Sequence, residues 1–148
     1  NFHENIFDRI YATFLEKVLQ YEVQDTDFWI TDVGKIFKKL ESAYQDDMVF
    51  NDVAKKLRKY NSVVVYGASV LGRKLYSVLK KYGINIKYII DKRGQKVDDM
   101  ETITLDQYIS NRGDIIIIAS SRFAEEIKRD LSEAKVVSDI VCVDELFS

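Results

Sequence analysis

The most constraining stretch of this chain is Ser62-Val63-Val64-Val65-Tyr66-Gly67-Ala68-Ser69-Val70-Leu71-Gly72. Its first half is an unbroken β-branched run, the mark of a strand buried on both faces. Gly67 then permits a sharp turn. From Arg73 to Tyr82 the apolar residues Leu75, Val78, Leu79 and Tyr82 fall at helical spacing, and Gly83 is the expected stop. A strand buried on both faces needs helices on both sides of a parallel sheet. The chain beyond repeats the alternation. Ile86 to Ile90 reads as a second strand ending at Asp91, followed by a polar loop from Lys92 to Glu101. Thr102-Ile103-Thr104 is a short strand, and Leu105 to Ile109 is one or two helical turns. Asp114 leads into Ile115-Ile116-Ile117-Ile118-Ala119, and Ser120-Ser121 opens a helix from Arg122 to Glu133. Ile140-Val141-Cys142-Val143 is the last strand. Right-handed crossovers then give a three-layer α/β fold over residues 61–148, with a parallel sheet of about five strands in the order 3-2-1-4-5.

Residues 1–60 have a different texture and read as a helical N-terminal extension. Between Phe2 and Leu19 the residues Phe2, Ile6, Phe7, Ile10, Tyr11, Phe14, Leu15, Val18 and Leu19 form one apolar stripe. That stripe suits a homodimer contact. A second helix is expected from Phe28 to Ala43 and a third from Asn51 to Tyr60, with Asp46-Asp47 as the break between them. The basic group Lys55, Lys56, Arg58 and Lys59 sits where a helix C-terminus favours positive charge, so it reads as a solvated face.

Composition removes several classes of function. The chain of 148 residues has one histidine, one cysteine and no proline. Zinc fingers and ribbons, disulfide frameworks and Pro-rich ligands are therefore excluded, and no metal site is expected. The net charge is −2, with no excess of basic residues in either part, so nucleic-acid binding is not indicated. No run is long and apolar enough to span a membrane. With a free Cys142 and no export signal, we expect a cytoplasmic protein. Cys142 falls inside an apolar strand and reads as an inert core thiol.

The chemistry therefore gathers at the glycine turn. Gly67 makes the turn, Gly72 allows close packing of helix on strand, and the first helical N–H groups face a phosphate. Ser69 stands where such turns usually carry a second glycine. It narrows the approach of a pyrophosphate but brings a hydroxyl. Asp91 follows Gly67 by about 24 positions, near the spacing of an acid that takes a ribose 2′-hydroxyl; its other reading is a turn cap. Ser120, Ser121 and Arg122 lie where the fourth strand meets its helix, beside the first strand at the switch point where ligands of such sheets bind. They too have a second reading, as helix caps and a surface residue. The candidate ligand-binding set is Gly67, Ala68, Ser69, Val70, Leu71, Gly72, Arg73, Asp91, Lys92, Ser120, Ser121 and Arg122. No catalytic residue is assigned. Tyr76 and Lys80 match the spacing of the short-chain dehydrogenase pair, and Ser77 and Lys80 that of a penicillin-recognising serine motif, but both fall on the wrong helix.

From about Asn61 to Leu146 the chain resembles the small Rossmann-like domains related to the CoA- and NAD-binding domains of the repressor Rex. It is similar also to the N-terminal domains of sugar O-acyltransferases of the PglD type. Comparable modules accompany FkbM-type methyltransferases and nucleotide-sugar epimerases or dehydratases in bacterial glycan synthesis. The resemblance is carried by Tyr66-Gly67-Ala68-Ser69-Val70-Leu71-Gly72-Arg73, Tyr88-Ile89-Ile90-Asp91-Lys92, Thr104-Leu105-Asp106-Gln107-Tyr108-Ile109 and Asp114 to Ser121. It implies a nucleotide-binding module, with a sugar nucleotide, NAD or CoA as ligand, accessory to glycan or nucleotide-sugar metabolism. Two other readings stand beside it. One is an interaction scaffold with a vestigial crevice that dimerises through residues 2–19. The other is a fragment of an NAD-dependent epimerase or dehydratase, or of a methyltransferase.

Overall fold

The structure is a computed structural model and describes residues 32–45, 47–94, 96–97, 100–120 and 123–147. The stripe over residues 2–19, with its expected dimer contact, lies outside the described residues, as do Ser121 and Arg122. The chain runs through helices α1 (Asp32–Gln45) and α2 (Asp47–Leu57), then strand β1 (Ser62–Tyr66), helix α3 (Val70–Lys81), and strands β2 (Ile86–Ile90) and β3 (Thr102–Ile103). A 3₁₀ turn at Leu105–Gln107 leads to β4 (Asp114–Ile118), helix α4 (Ala124–Glu133), β5 (Asp139–Cys142) and a one-turn helix α5 (Val143–Leu146).

All five strands are parallel, and their order is β3-β2-β1-β4-β5. The expected order is therefore the observed one. β1 and β4 are buried along their whole length. Alternate residues serve opposite layers, as the two-residue period of a strand demands. Val63, Val65, Ile115 and Ile117 pack with helices α1, α2 and α3. Val64, Tyr66, Ile116 and Ile118 pack with Ala124, Ile127 and Leu131 of α4 and with Tyr108. No helix among the described residues is long and apolar enough to cross a membrane.

The expected boundary at residue 61 separates kinds of element, not cores. Phe37 and Leu40 of α1 and Phe50 and Leu57 of α2 are at most 1% exposed, and they join one cluster with Val65, Leu75, Leu79 and Ile117. Phe50 stacks at 4.5 Å on Tyr82 and lies 5.8 Å from Phe147. The described helices of residues 32–57 are thus one layer of the sheet domain. The third expected helix begins at Asp47 rather than Asn51, because Phe50 must reach that core. It ends at Leu57 rather than Tyr60. There the chain tightens into i→i+3 bonds, Lys59 N to Lys56 O and Tyr60 N to Leu57 O, and turns into β1. Helix α4 is described from Ala124 rather than Arg122, and β5 spans Asp139–Cys142 with α5 directly after it.

A buried polar network closes the amino end of the sheet. Asp114 is 1% exposed and accepts from Ser62 Oγ at 2.6 Å and from Tyr108 Oη at 3.0 Å. Tyr108 Oη also meets Ser138 Oγ at 2.7 Å, and Ser138 donates to the carbonyl of Asn111 at 2.8 Å. Lys87 Nζ stands 3.6 Å from Asp114. The network ties β1, β4, the chain before β4 and the start of β5 together. Burial pushes the Tyr108 hydroxyl up to about 12; the Ser138 bond pulls it back somewhat, and the Asp114 carboxylate adds to the rise.

Candidate functional site

The opposite, carboxyl end of the sheet carries the glycine turn. Gly67 takes φ +115°, a conformation that side-chain-bearing residues rarely adopt. The turn is held on both sides, by Gly67 N to Ile90 O at 2.8 Å and Ala119 N to Tyr66 O at 3.0 Å. A Cβ on Gly72 would overlap the Gly67 carbonyl oxygen, so α3 docks on the turn at a distance only glycine allows. Ser69 is the N-cap of α3, but its side chain makes no cap bond and is exposed. Leu71 and Gly72 lie in the first turn of α3, whose N–H groups find no carbonyl four residues back within the helix.

A crevice of about 440 Å³ opens above this turn, between the chain following β2 and the start of α4. That size falls within the roughly 300–1,000 Å³ of small-molecule pockets. Gly67, Ala68 and Ser69 form its floor with Ala119 and Ser120, Asp91 and Lys92 one wall, and Phe123, Glu126 and Ile127 the other. Six of the predicted residues therefore converge: Gly67, Ala68, Ser69, Asp91, Lys92 and Ser120. Val70, Leu71 and Gly72 support the turn from α3 without lining the crevice; Leu71 is a core residue at 3% exposed. Arg73 is engaged elsewhere. Its Nε donates to the carbonyl of Ala68 at 3.2 Å and its Nη2 to that of Lys96 at 3.3 Å, which binds the turn to the loop after β2. Ser120 Oγ accepts from the backbone N–H of Phe123 at 3.1 Å, but the N-cap of α4 is Phe123 and not Ser120, so its expected capping role is not the one observed.

Three buried side-chain oxygens among the described residues have no hydrogen-bond partner: Tyr66 Oη, Asp91 Oδ2 and Thr102 Oγ1. The first two belong to residues that line this crevice. Asp91 is 7% exposed, and Arg93 Nε stands 3.9 Å from its Oδ2, outside hydrogen-bond reach. Lys92 Nζ lies 3.6 Å from Asp130. Burial, together with the carboxylates of Asp130, Asp91 and Glu126, raises the Tyr66 hydroxyl above the ordinary phenol value.

Sequence reading did not place Tyr66, Phe123, Glu126 or Ile127 in the site. The available signal for Tyr66 was a hydroxyl at the carboxyl end of a buried strand, after three valines. The other three arrive from α4 through packing and leave no local mark. Tyr76 belongs to the core cluster on the far face of the sheet, away from the crevice.

Two other features were weighed against this one. A recess of about 460 Å³ lies beside Lys56, Lys59, Tyr60, Asp139 and Glu145, but Tyr60 Oη already donates to Asp139 at 2.8 Å. Ligand atoms of Cys142, Asp144 and Glu145 lie within 4.8 Å of one another, but Lys128 Nζ sits 3.6 Å from Glu145, where it competes with any cation. Burial pushes the Cys142 thiol up, which keeps it protonated and unreactive.

Residues 59–141, more than half of the chain, match the family model described as C2185-like, N-terminal. The chain belongs to that family. No curated protein and no solved structure matches it significantly. The matched span takes in β1 to β4 and nearly all of β5, and with them the glycine turn, Asp91 and the start of α4.

Proposed function

We propose that this domain binds a nucleotide-type ligand in the crevice at the carboxyl end of its sheet. The observation that carries the reading is Asp91: a carboxylate 7% exposed, at the end of β2, with an oxygen that accepts no hydrogen bond from the described residues. An unpaired buried acceptor is costly to a folded chain unless something else supplies donors. Ribose hydroxyls supply them. Beside Asp91 lies the tight turn at Gly67, where the first N–H groups of α3 and the uncapped Ser69 hydroxyl suit a phosphate. The crevice sits where β1 and β4 diverge into helices on opposite faces, the position at which open parallel sheets take ligands.

The candidates are NAD, a sugar nucleotide and CoA, which share a phosphorylated ribonucleoside. The groups gathered here hold a ligand; they include no paired acid and base and no activated nucleophile. The domain is therefore read as a binding module, accessory to nucleotide-sugar or glycan chemistry, in a cytoplasmic setting consistent with its buried free Cys142. A thermal-shift screen with NAD, NADP, UDP-glucose, CoA and S-adenosylmethionine tests it. A ligand at one hundred times its Kd should add about 2.7 kcal/mol of stability. Folded protein that shifts with none of them overturns the reading.

A further inference from the structure

We infer that Tyr66 is a ligand contact, whose hydroxyl works with the Asp91 carboxylate to read an uncharged, hydroxyl-bearing part of the molecule in the crevice. The inference rests on the nucleotide reading above and adds the identity of the group read and the residue that reads it.

Tyr66 is 4% exposed, and its hydroxyl has no partner among the described residues. It ends β1, directly before Gly67, in a strand whose other buried side chains are three valines and Ser62. The ring packs with Ile90, Ile118 and Ile127, and a phenylalanine would fill that space equally well. The hydroxyl therefore contributes nothing visible to the core, and burying it unbonded is destabilising. A second unpartnered buried oxygen, Asp91 Oδ2, belongs to another residue lining the same crevice. Two such groups from different strands on one cavity are what a site awaiting a ligand presents.

The surroundings select the ligand chemistry. The carboxylates of Asp91, Glu126 and Asp130 all bear on the Tyr66 phenol and keep it a proton donor. They repel a phosphate placed there. Lys92 and Arg93 stand near Asp130 and Asp91, so the excess negative charge that would call for a cation is small. A hydroxyl accepts from Tyr66 and donates to Asp91, and so satisfies both groups at once. Its source is the ribose of the nucleotide or a glycosyl ring attached to it.

The test measures binding by calorimetry and melting of the free protein, for wild type and Tyr66→Phe. The probes are ADP, UDP, their 2′-deoxy and 3′-deoxy analogues, and UDP-glucose. Tyr66→Phe should bind the preferred probe about tenfold more weakly, the loss of one buried hydrogen bond. It should also stop distinguishing that probe from the analogue lacking the hydroxyl. If the deoxy analogues bind wild type as well as their parents while UDP-glucose gains affinity that Tyr66→Phe loses, the glycosyl ring is the source. The free variant should melt no lower than wild type, because its hydroxyl has no partner to lose. A lower melting temperature would show the hydroxyl already bonded within the protein and overturn the assignment. So would unchanged affinity. If wild type binds neither these probes nor any ligand of the thermal-shift screen, the nucleotide reading falls and this one with it; if wild type binds and the variant binds equally, only the role of Tyr66 falls.

Discussion

At the amino end of the sheet, the carboxylate of Asp114 is buried and both its oxygens are taken, by Ser62 and by Tyr108. At the carboxyl end, Asp91 is buried nearly as deeply, yet among the described residues neither its Oδ2 nor the hydroxyl of Tyr66 on the neighbouring strand has a hydrogen-bond partner. Each end thus carries one aspartate and one tyrosine in almost the same degree of burial. The physics of burial is common to both: a polar group withdrawn from water needs a partner. What differs is where the partner comes from. The amino end supplies its own, from four segments of chain, and so fastens the sheet. Among the described residues, the carboxyl end supplies no partner for these two oxygens, which belong to residues lining a crevice. This is the division of labour expected of open parallel sheets, whose ligands gather beyond the carboxyl ends of the strands.

The largest expected effect tests the fastened end. Asp114→Ala removes a charged acceptor from two hydroxyls and leaves Ser62 and Tyr108 short of partners in a buried site. It should cost about 3 kcal/mol, read as a lower midpoint in urea denaturation at unchanged slope. A loss below about 1 kcal/mol would mean that water replaces the carboxylate and that the two ends do not differ as described. Tyr108→Phe should cost less, about 1–2 kcal/mol at neutral pH, since Ser62 still serves Asp114. It also has a pH signature. The folded-state value of Tyr108, about 12, lies above the ordinary phenol value of 10.0. The contribution of this tyrosine is therefore fully present below about pH 10 and is lost as pH rises towards 12. Wild type should lose stability across that window, and Tyr108→Phe should lose less. Equal slopes for the two proteins would show that other groups carry the alkaline transition.

How much of this was legible beforehand depends on how local the cause is. The valines of β1 and the isoleucines of β4 announced a doubly buried parallel sheet, because burial on both faces leaves no room for alternation. The glycine turn was legible for a similar reason: the φ of Gly67 and the contact at Gly72 are demands on single residues. Arg73 belonged to the candidate ligand-binding set by its place beside the turn, but its guanidinium donates to the carbonyls of Ala68 and Lys96. The wall made by Phe123, Glu126 and Ile127 depends on how α4 lies across the sheet, which no short pattern encodes. The amino-end network was equally silent: Ser62 and Ser138 are far along the chain from Tyr108 and Asp114 and meet them only once the strands are in register. The sequence announced α1 and α2 as helices, but not that the sheet domain would bury one face of each.

Asp91→Asn has the smallest expected effect on the free protein and bears most directly on the contrast between the two ends. The substitution keeps the shape and removes the charge. At a fastened site that would weaken charge-assisted bonds and lower stability. Among the described residues Oδ2 has no hydrogen bond to lose, and its ion pair with Arg93, 62% exposed and 3.9 Å away, is of little worth. Removing a buried charge that lacks a close partner should leave stability within about 0.5 kcal/mol of wild type, or raise it. The same change should weaken any ligand whose hydroxyls Asp91 accepts, because an amide offers one acceptor oxygen where the carboxylate offers two. A melting temperature that holds while the ligand-induced shift shrinks is the result expected of a group kept for binding. A melting temperature that falls as it does for Asp114→Ala would make Asp91 a second fastening, and the two ends of the sheet alike.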